Sequence, residues 1–345
     1  MLKYKRNLLK IICIFIIAIF LFPTICIASD TIYTWSNSAK PLTETIPTNA
    51  TTSLSLNVGS AVLIEQNSGQ VLYNQNMHEK LRPASVTKVM TILLIMEAID
   101  SGKLSYTDKI PCSEKAAGMG GSQIWLDVRE ELTVDEMLKA ICVVSANDCT
   151  VAMAEYLAGT EEAFVDQMNS KAKELGMNDT TFKNCHGIDE DGHVTSAYDI
   201  ALMSRELLTK HPSITKYTTI YMDSLRDGKS SLVNTNKLVR NYKGATGLKT
   251  GSTSVALYNL SASATRNDLS LIAVIMKAPT SPIRFAEAQK LLDYGFNNFE
   301  YKKLANKNDL IKEVSVDKGI ENSVNAILEN DSGVLIQKGQ NKDIV

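Results

Sequence analysis

The sequence predicts a protein of the α/β (α+β) class, in which an antiparallel sheet carries a helical insertion and a short β-rich segment follows. Strand-type sequence occurs on both sides of a helical middle. It covers residues 60–74 and residues 257–278, where two alternating runs flank an Asn-Asp turn. Several segments between these regions have the apolar spacing of helices. Strands at both ends of a helical middle favour a single antiparallel sheet with the helices inserted.

The first hairpin and the first helix are the most clearly predicted elements. Residues 60–74 form two β-type runs around Asn-Ser-Gly at 67–69, which is a hairpin signal. The run over residues 89–99 is apolar on nearly every side, and Gly102 is a suitable stop. A helix that is apolar all round is a buried one, so we expect it to cross the middle of the domain.

The later helices are predicted from their caps and stops. Thr133 and Glu136 form a capping box that opens a helix toward Val144. A last helix takes Ser281 as its N-cap and has Pro282 in its first turn. The other helices of this part are predicted over residues 147–159, 160–176 and 196–212.

Composition divides the chain into four parts. Residues 1–28 combine a basic start, an apolar run and a small-residue site ending at Ala28, which is the layout of a secretory signal peptide. An uncleaved N-terminal anchor is the alternative, although the apolar run is short for a membrane span. Residues 29–56 are rich in Ser and Thr and predict a flexible spacer. Residues 57–299 are long enough for the main domain, and residues 300–345 predict a small β-rich unit.

The charge balance argues against a nucleic-acid partner. The whole chain has a formal net charge of −2, and removal of the four basic residues within 1–28 leaves −2 − 4 = −6. A mildly acidic, exported protein suits neither nucleic acid nor an anionic membrane surface, so membrane association is expected only through the N-terminus. No C-x-x-C or H-E-x-x-H motif occurs and the histidines are scattered, so no metal or other cofactor is predicted.

Cysteine use predicts buried thiols rather than a disulfide framework. The cysteines beyond the first 28 residues are too few for a disulfide scaffold in a chain of this size. Two of them lie in apolar helical sequence and are predicted to be small buried hydrophobes. A disulfide within the set is the alternative that the sequence leaves open. The four residues are Cys112, Cys142, Cys149 and Cys185.

Residues 82–90, RPASVTKVM, place Ser85 and Lys88 one turn apart at the start of the buried helix. Backbone N–H groups are unsatisfied at a helix start and the dipole is positive, so an oxyanion formed at Ser85 would be stabilised. Burial would favour the neutral amine of Lys88, which could then act as a base. The same spacing elsewhere falls inside a surface helix or in a connection, and we expect those copies to be inert: Ser170 with Lys173, and Ser213 with Lys216.

Two downstream motifs complete the candidate site. Ser145 and Asn147 lie at the predicted junction of two helices, where a hydroxyl and an amide can point into a cleft. Lys249, Thr250 and Gly251 begin a predicted strand. The lysine and the threonine can hold a carboxylate, and the glycine would leave room for a substrate backbone along the strand edge.

The ordered triple S-x-x-K, S-x-N and K-T-G resembles the penicillin-binding serine acyltransferases, most closely the low-molecular-mass D-alanyl-D-alanine carboxypeptidases. Stretches such as SANDCTVAMAE and GLKTGSTS share this likeness, which extends over residues 57–299. It implies a β-lactamase/transpeptidase-like fold and removal of the terminal D-alanine from peptidoglycan pentapeptides. It also implies inhibition by β-lactam antibiotics, and a location at the outer face of the cell membrane, in the wall or in the medium.

The resemblance implies a role for each matched residue. Ser85 would attack the carbonyl between two D-alanines to form an acyl-enzyme, and Lys88 would take its proton. Ser145, with Lys249, would pass a proton to the departing D-alanine. The oxyanion hole would be formed by the N–H groups of Ser85 and Ser252. The residues implied in substrate binding are Asn147, Lys249, Thr250, Gly251, Ser252 and Arg284.

Two of these assignments have ordinary alternatives. Arg284 matches a family arginine that helps attract the substrate carboxylate, but it could equally be a solvated residue at a helix start. His193 lies in a loop that approaches the cleft in the predicted arrangement, yet a polar loop histidine without a catalytic role explains it as well.

The chain departs from the family pattern in three ways. SVALYNL follows the K-T-G motif where the family more often has small residues and glycine. The C-terminal segment is shorter than the second β-domain of the family, which predicts a truncated or reduced domain. The usual C-terminal amphipathic anchor is also missing from the sequence.

Two other functions remain to be weighed. A serine β-lactamase shares the fold, but the E-x-x-L-N motif that supplies its hydrolytic glutamate is absent between residues 145 and 249. A non-catalytic wall-binding or sensory relative would keep the fold and lose turnover. The intact triple argues against it, because binding alone needs no paired Ser85 and Lys88.

Overall fold

The computed structural model describes residues 54–329 and 331–339. The predicted signal peptide and nearly all of the predicted spacer lie outside these residues. Within them, no helix has the length and apolar character needed to span a membrane. The strands are β1 Ser60–Glu65, β2 Val71–Gln75, β3 Lys109–Pro111, β4 Glu131–Thr133, β5 Met222–Leu225, β6 Ser230–Val233, β7 Ala245–Thr253, β8 Leu257–Arg266, β9 Leu269–Ala278, β10 Phe299–Ala305, β11 Leu310–Ser315, β12 Ser323–Ile327 and β13 Ser332–Gln337.

The helices lie mainly between β2 and β7. They are α1 Lys88–Asp100, α2 Glu114–Ala117, α3 Val134–Val143, α4 Asn147–Ala158, α5 Glu161–Glu174, α6 Ala197–Lys210, α7 Thr215–Thr218, α8 Leu238–Asn241 and α9 Ser281–Asn298. Short 3₁₀ turns cover Ala84–Thr87 and Pro212–Ile214.

The central sheet has five strands in the order β2-β1-β9-β8-β7, and every neighbouring pair is antiparallel. The hairpin β1–β2 from the start of the domain pairs with β9 from its end, for example Val62 with Val274. The helical insertion lies between these partners in the chain. The predicted fold class, an antiparallel sheet with a helical insertion, is therefore confirmed.

The two faces of the sheet belong to two apolar cores, as the period of two in a strand requires. Val62 and Ile64 face the core that contains α1 and most of the insertion. Ala61 and Leu63 face the opposite core, which contains α9. Helix α1 is buried on nearly all sides, which is why its sequence shows no polar face.

Two predicted boundaries are wrong by a few residues. Helix α9 takes Thr280 as its N-cap rather than Ser281, because Thr280 has the extended backbone and accepts the Ile283 N–H. Ser281 is the first helical residue, and its hydroxyl accepts instead from Arg284. Strand β7 begins at Ala245, so the Lys-Thr-Gly motif lies inside the strand and does not begin it.

The predicted β-rich C-terminal segment is present as two small antiparallel pairs. Strand β10 pairs with β13, and β11 pairs with β12. Phe299 is buried beside α9, and Tyr301 and Leu335 pack against the same core. The division of the chain into a domain over residues 57–299 and a separate unit over 300–345 stays a prediction.

The cysteines of the described residues are all buried and unbridged. They therefore act as small core residues, as predicted for Cys142 and Cys149. Burial raises the pKa of Cys142 to about 12, so its thiol keeps its proton at any physiological pH.

Candidate active site

Ser85 lies in the 3₁₀ turn Ala84–Thr87, immediately before α1. The predicted position at a helix start is therefore correct, although the first turn is 3₁₀ and Ala84 has a positive φ of 49°. Two glycines, Gly251 and Gly187, pack closely against this turn. A Cβ on Gly251 would lie 2.9 Å from the backbone nitrogen of Ser85, and a Cβ on Gly187 would lie 2.0 Å from the carbonyl oxygen of Ala84.

The amine of Lys88 is fully buried and has three contacts. It lies 3.1 Å from Ser85 Oγ, 2.6 Å from Asn147 Oδ1 and 2.7 Å from the carbonyl oxygen of His186. Burial, together with the positive charge of Lys249, holds the pKa of Lys88 well below its usual value. A neutral amine has two N–H bonds and one lone pair, so it matches two pure acceptors and one hydroxyl donor.

Asn147 and Ser145 lie between α3 and α4, the helix junction that the sequence predicts. The Asn147 amide is held at both ends, because its Nδ2 donates to the carbonyl oxygen of Gly120 at 2.7 Å while its Oδ1 accepts from Lys88. Ser145 has a positive φ of 66°. Its buried hydroxyl has no hydrogen-bond partner among the described residues, so it is available to a ligand.

The third motif lies on β7, at the edge of the central sheet. Lys249 is buried, and its amine donates to the carbonyl oxygen of Thr250 at 2.9 Å. Burial, with a contribution from the charge of Arg284, lowers the pKa of Lys249 to about 7. The Thr250 hydroxyl lies 2.8 Å from that of Thr235. Lys249 therefore gains or loses its proton close to neutral pH.

Gly251 serves a different purpose from the one that the sequence suggested. A Cβ at this position would meet Val86 N at 2.8 Å and Pro83 O at 2.9 Å. The space beside the glycine is therefore filled by the turn that carries Ser85 and is not open to a substrate backbone.

Arg284 is buried, so its interpretation as a solvated helix-start residue is wrong. Its guanidinium donates to the carbonyl oxygens of Gly251 and Asn259, both at 3.2 Å, and stacks over the Phe285 ring. Burial lowers its pKa to about 10. Arg284 therefore adds positive charge beside β7 and links β7 to β8 through these two carbonyl oxygens.

The segment 184–188 contributes residues that sequence reasoning missed. The His186 carbonyl contacts Lys88, and Gly187 contacts the Ala84–Ser85 peptide. The segment is fixed by Glu161, which accepts the Cys185 N–H at 3.1 Å and lies 3.3 Å from His186 Nε2. Its only sequence signal is a cluster of Gly and Asp around two histidines, which is typical of any loop.

Further polar groups position the nucleophile turn. Asn259 Nδ2 donates to the carbonyl oxygens of Arg82 and Pro83 at 2.8 and 3.1 Å. His193 is buried beneath the turn, with its Nε2 2.8 Å from Thr87 Oγ1, and burial lowers its pKa to about 4. His193 is thus a structural support of the turn.

The two other Ser-x-x-Lys copies have no such surroundings. The Ser170 hydroxyl donates to the Asp166 carbonyl of its own helix at 2.8 Å. Lys216 pairs with Asp135 at 2.7 Å. Ser213 lies exposed in the second 3₁₀ turn. The structure places these copies on a surface helix and in a connection, as predicted, and their lack of activity stays a prediction.

Comparison with known proteins shows which family has this arrangement. Residues 47–280 match the D-alanyl-D-alanine carboxypeptidases of peptidase family S11, and residues 299–345 match the C-terminal domain of penicillin-binding protein 5. The chain is 49% identical over 298 residues to the D-alanyl-D-alanine carboxypeptidase DacF of Bacillus subtilis, covering 86% of this chain and 76% of that protein.

Solved structures agree with the sequence matches. Penicillin-binding protein 5 of Haemophilus influenzae superposes with a TM-score of 0.75 at 34% identity, over 84% of this chain and 85% of that one. Penicillin-binding protein D2 of Listeria monocytogenes, solved with ampicillin bound, gives a TM-score of 0.65 at 30% identity, over 71% of this chain and 100% of that one.

The fold and the three motifs thus define a penicillin-binding protein with a serine peptidase site. The chain belongs to the D-alanyl-D-alanine carboxypeptidase family, peptidase S11. This family acts on peptidoglycan peptides outside the cytoplasm through a serine acyl-enzyme and binds β-lactams.

Proposed function

We propose that this chain is a serine-type D-Ala-D-Ala carboxypeptidase that removes the terminal D-alanine from peptidoglycan stem pentapeptides, with Ser85 as its nucleophile. The observation that carries the proposal is the set of three contacts around the Lys88 amine. Asn147 Oδ1 and the His186 carbonyl can only accept hydrogen bonds, so they take both N–H bonds of a neutral amine. The lone pair is then directed at the hydroxyl of Ser85, which is the arrangement of a nucleophile with its base.

The reaction follows from this arrangement. Ser85 Oγ attacks the carbonyl carbon between the two D-alanines while Lys88 takes the hydroxyl proton. The N–H groups of Ser85 and Ser252 stabilise the oxyanion. Ser145 gives its proton to the leaving nitrogen as the C–N bond breaks, and Lys249 restores the proton to Ser145. Free D-alanine departs, and the acyl chain remains as an ester on Ser85. Transfer of the proton from Lys88 to Lys249 then restores both amines to their starting states. Water attacks the ester while Lys88 takes one of its protons, and Lys88 passes that proton to Ser85 Oγ as the ester bond breaks.

Specificity for a terminal carboxylate follows from the charge around β7. Lys249 and Thr250 are the groups that would contact the carboxylate of the last D-alanine, and Arg284 adds a buried positive charge behind them. A bound carboxylate would favour the protonated form of Lys249, whose pKa in the free protein is about 7. Substrate binding would therefore supply the proton that the leaving group needs.

The protein would act after export from the cytoplasm. Residues 1–28 would direct export and be removed, or remain as an N-terminal anchor; residues 29–56 would act as a spacer. Residues 57–299 would form the catalytic domain and residues 300–345 a small β-rich unit. The enzyme would then work at the outer face of the membrane, in the wall or in the medium, where peptidoglycan peptides are found.

The test is the intact mass of the purified protein before and after treatment with benzylpenicillin. We expect one adduct of the full mass of the drug on the wild type, none on Ser85→Ala, and persistence over many minutes. Loss of the adduct within seconds would indicate a β-lactamase. A folded wild type that forms no adduct would refute Ser85 as the nucleophile and favour a non-catalytic wall-binding protein.

A further inference from the structure

Asp148 is a buried carboxylate to which the proposed reaction gives no role. It follows Asn147 in α4, and 0% of its surface is exposed. Burial of a carboxylate is costly unless its oxygens accept hydrogen bonds. The oxygens of Asp148 accept the backbone N–H groups of Ile124 at 3.0 Å and Leu126 at 3.1 Å. Asp148 therefore fastens the segment over residues 120–126, the 120–126 loop, to the start of α4.

The 120–126 loop also holds Asn147. The Gly120 carbonyl accepts from Asn147 Nδ2 at 2.7 Å, and the Ser122 carbonyl accepts the Asn147 N–H at 2.7 Å. A Cβ on Gly121, between these two carbonyls, would lie 2.9 Å from Asn147 Nδ2. The loop thus offers carbonyl groups to Asn147 and N–H groups to Asp148, so the two residues bind the same segment.

The Gly120 carbonyl decides which end of the Asn147 amide faces Lys88. In the structure the amide oxygen accepts from the Lys88 amine at 2.6 Å. With the amide turned by 180°, its NH2 group would donate to the lone pair of neutral Lys88, which is the lone pair that takes the Ser85 proton. While the loop is in place, this rotation would bring the amide oxygen against the Gly120 oxygen, and two acceptors repel each other.

The backbone of the 120–126 loop is strained at Trp125, between the two N–H donors. The φ of Trp125 is 55°, an unfavourable conformation for a bulky residue. Its side chain is 74% exposed, so its packing contributes little to holding the loop. Arg226, in the hairpin β5–β6, donates to the carbonyls of Ile124 and Trp125. Without Asp148 the loop would therefore stay tied to the hairpin but would be free to shift away from α4.

We infer that Asp148 is a positioning residue for acylation, which holds the 120–126 loop against α4 and thereby keeps the Asn147 oxygen, and not its NH2 group, on Lys88. Because Asp148 is fully buried, it acts through Asn147 and not by contact with the substrate. The inference rests on the proposed function, since it assumes that neutral Lys88 is the base for Ser85. It gives a task to the residue that follows the S-x-N motif.

The charge of Asp148 acts on Lys88 in the opposite direction, which separates the two contributions. Burial and the charge of Lys249 lower the pKa of Lys88, whereas the charge of Asp148 raises it. Asp148→Asn removes this negative charge, so by charge alone it would favour the neutral amine and would not slow acylation. A slower reaction would therefore come from the position of the loop.

The test is a double-mutant cycle on the rate of benzylpenicillin acylation. We expect Asp148→Asn to slow acylation about tenfold to 100-fold, the scale for a misplaced catalytic group. In an Asn147→Ala background the same substitution should change the rate by less than about twofold, because no amide is left to turn. Equal losses in both backgrounds would mean that Asp148 supports the fold as a whole. That result would overturn the inference, as would an unchanged rate for the single variant.

Two further measurements guard against a variant that folds poorly. Gly121→Ala keeps Asp148 but pushes the loop away from Asn147 Nδ2, so it should slow acylation with the same dependence on Asn147. In Asp148→Asn, the acid limb of the pH profile, where Lys88 loses its proton, should move to lower pH. A site opened to water would instead move this limb to higher pH, because burial is the main cause that lowers the pKa of Lys88. That shift would also overturn the inference.

Glu65→Gln is the matched control, because Glu65 is another fully buried carboxylate that holds a loop. It accepts the N–H groups of Asn67 at 2.9 Å and Ser68 at 2.6 Å, and it lies on β1, which β9 and β8 separate from β7. Both variants should unfold at lower urea concentration, but Glu65→Gln should keep the wild-type acylation rate. Failure of the proposed function would look different, since the wild type would then form no penicillin adduct.

Discussion

Replacement of Gly251 by alanine should impair both the fold and the reaction. The new Cβ would lie 2.8 Å from Val86 N, while ordinary van der Waals contact begins at 3.4 Å. Its neighbours are backbone atoms, so the turn and β7 must separate by about 0.6 Å, the difference between these two distances. A displacement of 1 Å at a reacting atom can cost about 100-fold in rate. We therefore expect benzylpenicillin acylation to slow about tenfold to 100-fold.

The free protein should also be less stable, because overpacking of this kind typically costs about 1–3 kcal/mol. Urea unfolding without ligand measures this loss, and stopped-flow acylation measures the rate. Ser254→Ala, in the exposed turn after β7, is the matched control and should change neither quantity. An unchanged free energy of unfolding for Gly251→Ala would refute the reasoning. The glycine would then serve the substrate, as the sequence alone suggested.

Two predictions concern pH. First, kcat/KM for a D-Ala-D-Ala peptide should rise as Lys88 loses its proton and fall above about pH 7, where Lys249 loses its own. Lys249→Arg keeps its proton and should lack the falling limb; a retained limb would assign it to another group. Second, burial lowers the pKa of His186 from 6.5 to about 4, so the unfolded chain binds this proton first as the pH falls. The contribution of His186 to the free energy of unfolding should decrease between pH 6.5 and 4 by at most about 3 kcal/mol, and His193, whose pKa is also about 4, adds a loss of its own over the same range. Urea unfolding of His186→Gln should show a smaller decrease, and an unchanged decrease would exclude this histidine as its source.

The fold class was predictable because each element has a strong local signal. Residues 60–74 alternate around a Gly-containing turn, and α1 is apolar all round. The first residue of a helix was harder to predict. At α9, for example, Thr280 and Ser281 are both good N-cap residues. The folded structure distinguishes them, because Thr280 has the extended backbone and accepts the Ile283 N–H, while the Ser281 hydroxyl accepts from Arg284.

The site was predictable only where side chains carry the chemistry. Ser85 and Lys88 are recognisable because their motif combines two residue types at a fixed spacing beside a buried helix. The acceptors that set the state of Lys88 include the carbonyl of His186, and every residue has a carbonyl. Gly187 matters through the side chain that it lacks. Such backbone contributions leave no signature in the sequence.

Gly187 and Gly251 both pack against the Ala84–Ser85 peptide bond, so the active form of Ser85 exists only in the folded protein. The nucleophile turn is held by segments that lie about 100 and 170 residues further along the chain. An unfolded chain has only an ordinary serine and an ammonium whose pKa is near 10. Covalent labelling by a β-lactam would therefore register completed molecules alone. The amount of label would measure the number of folded molecules after export, independent of the total amount of polypeptide.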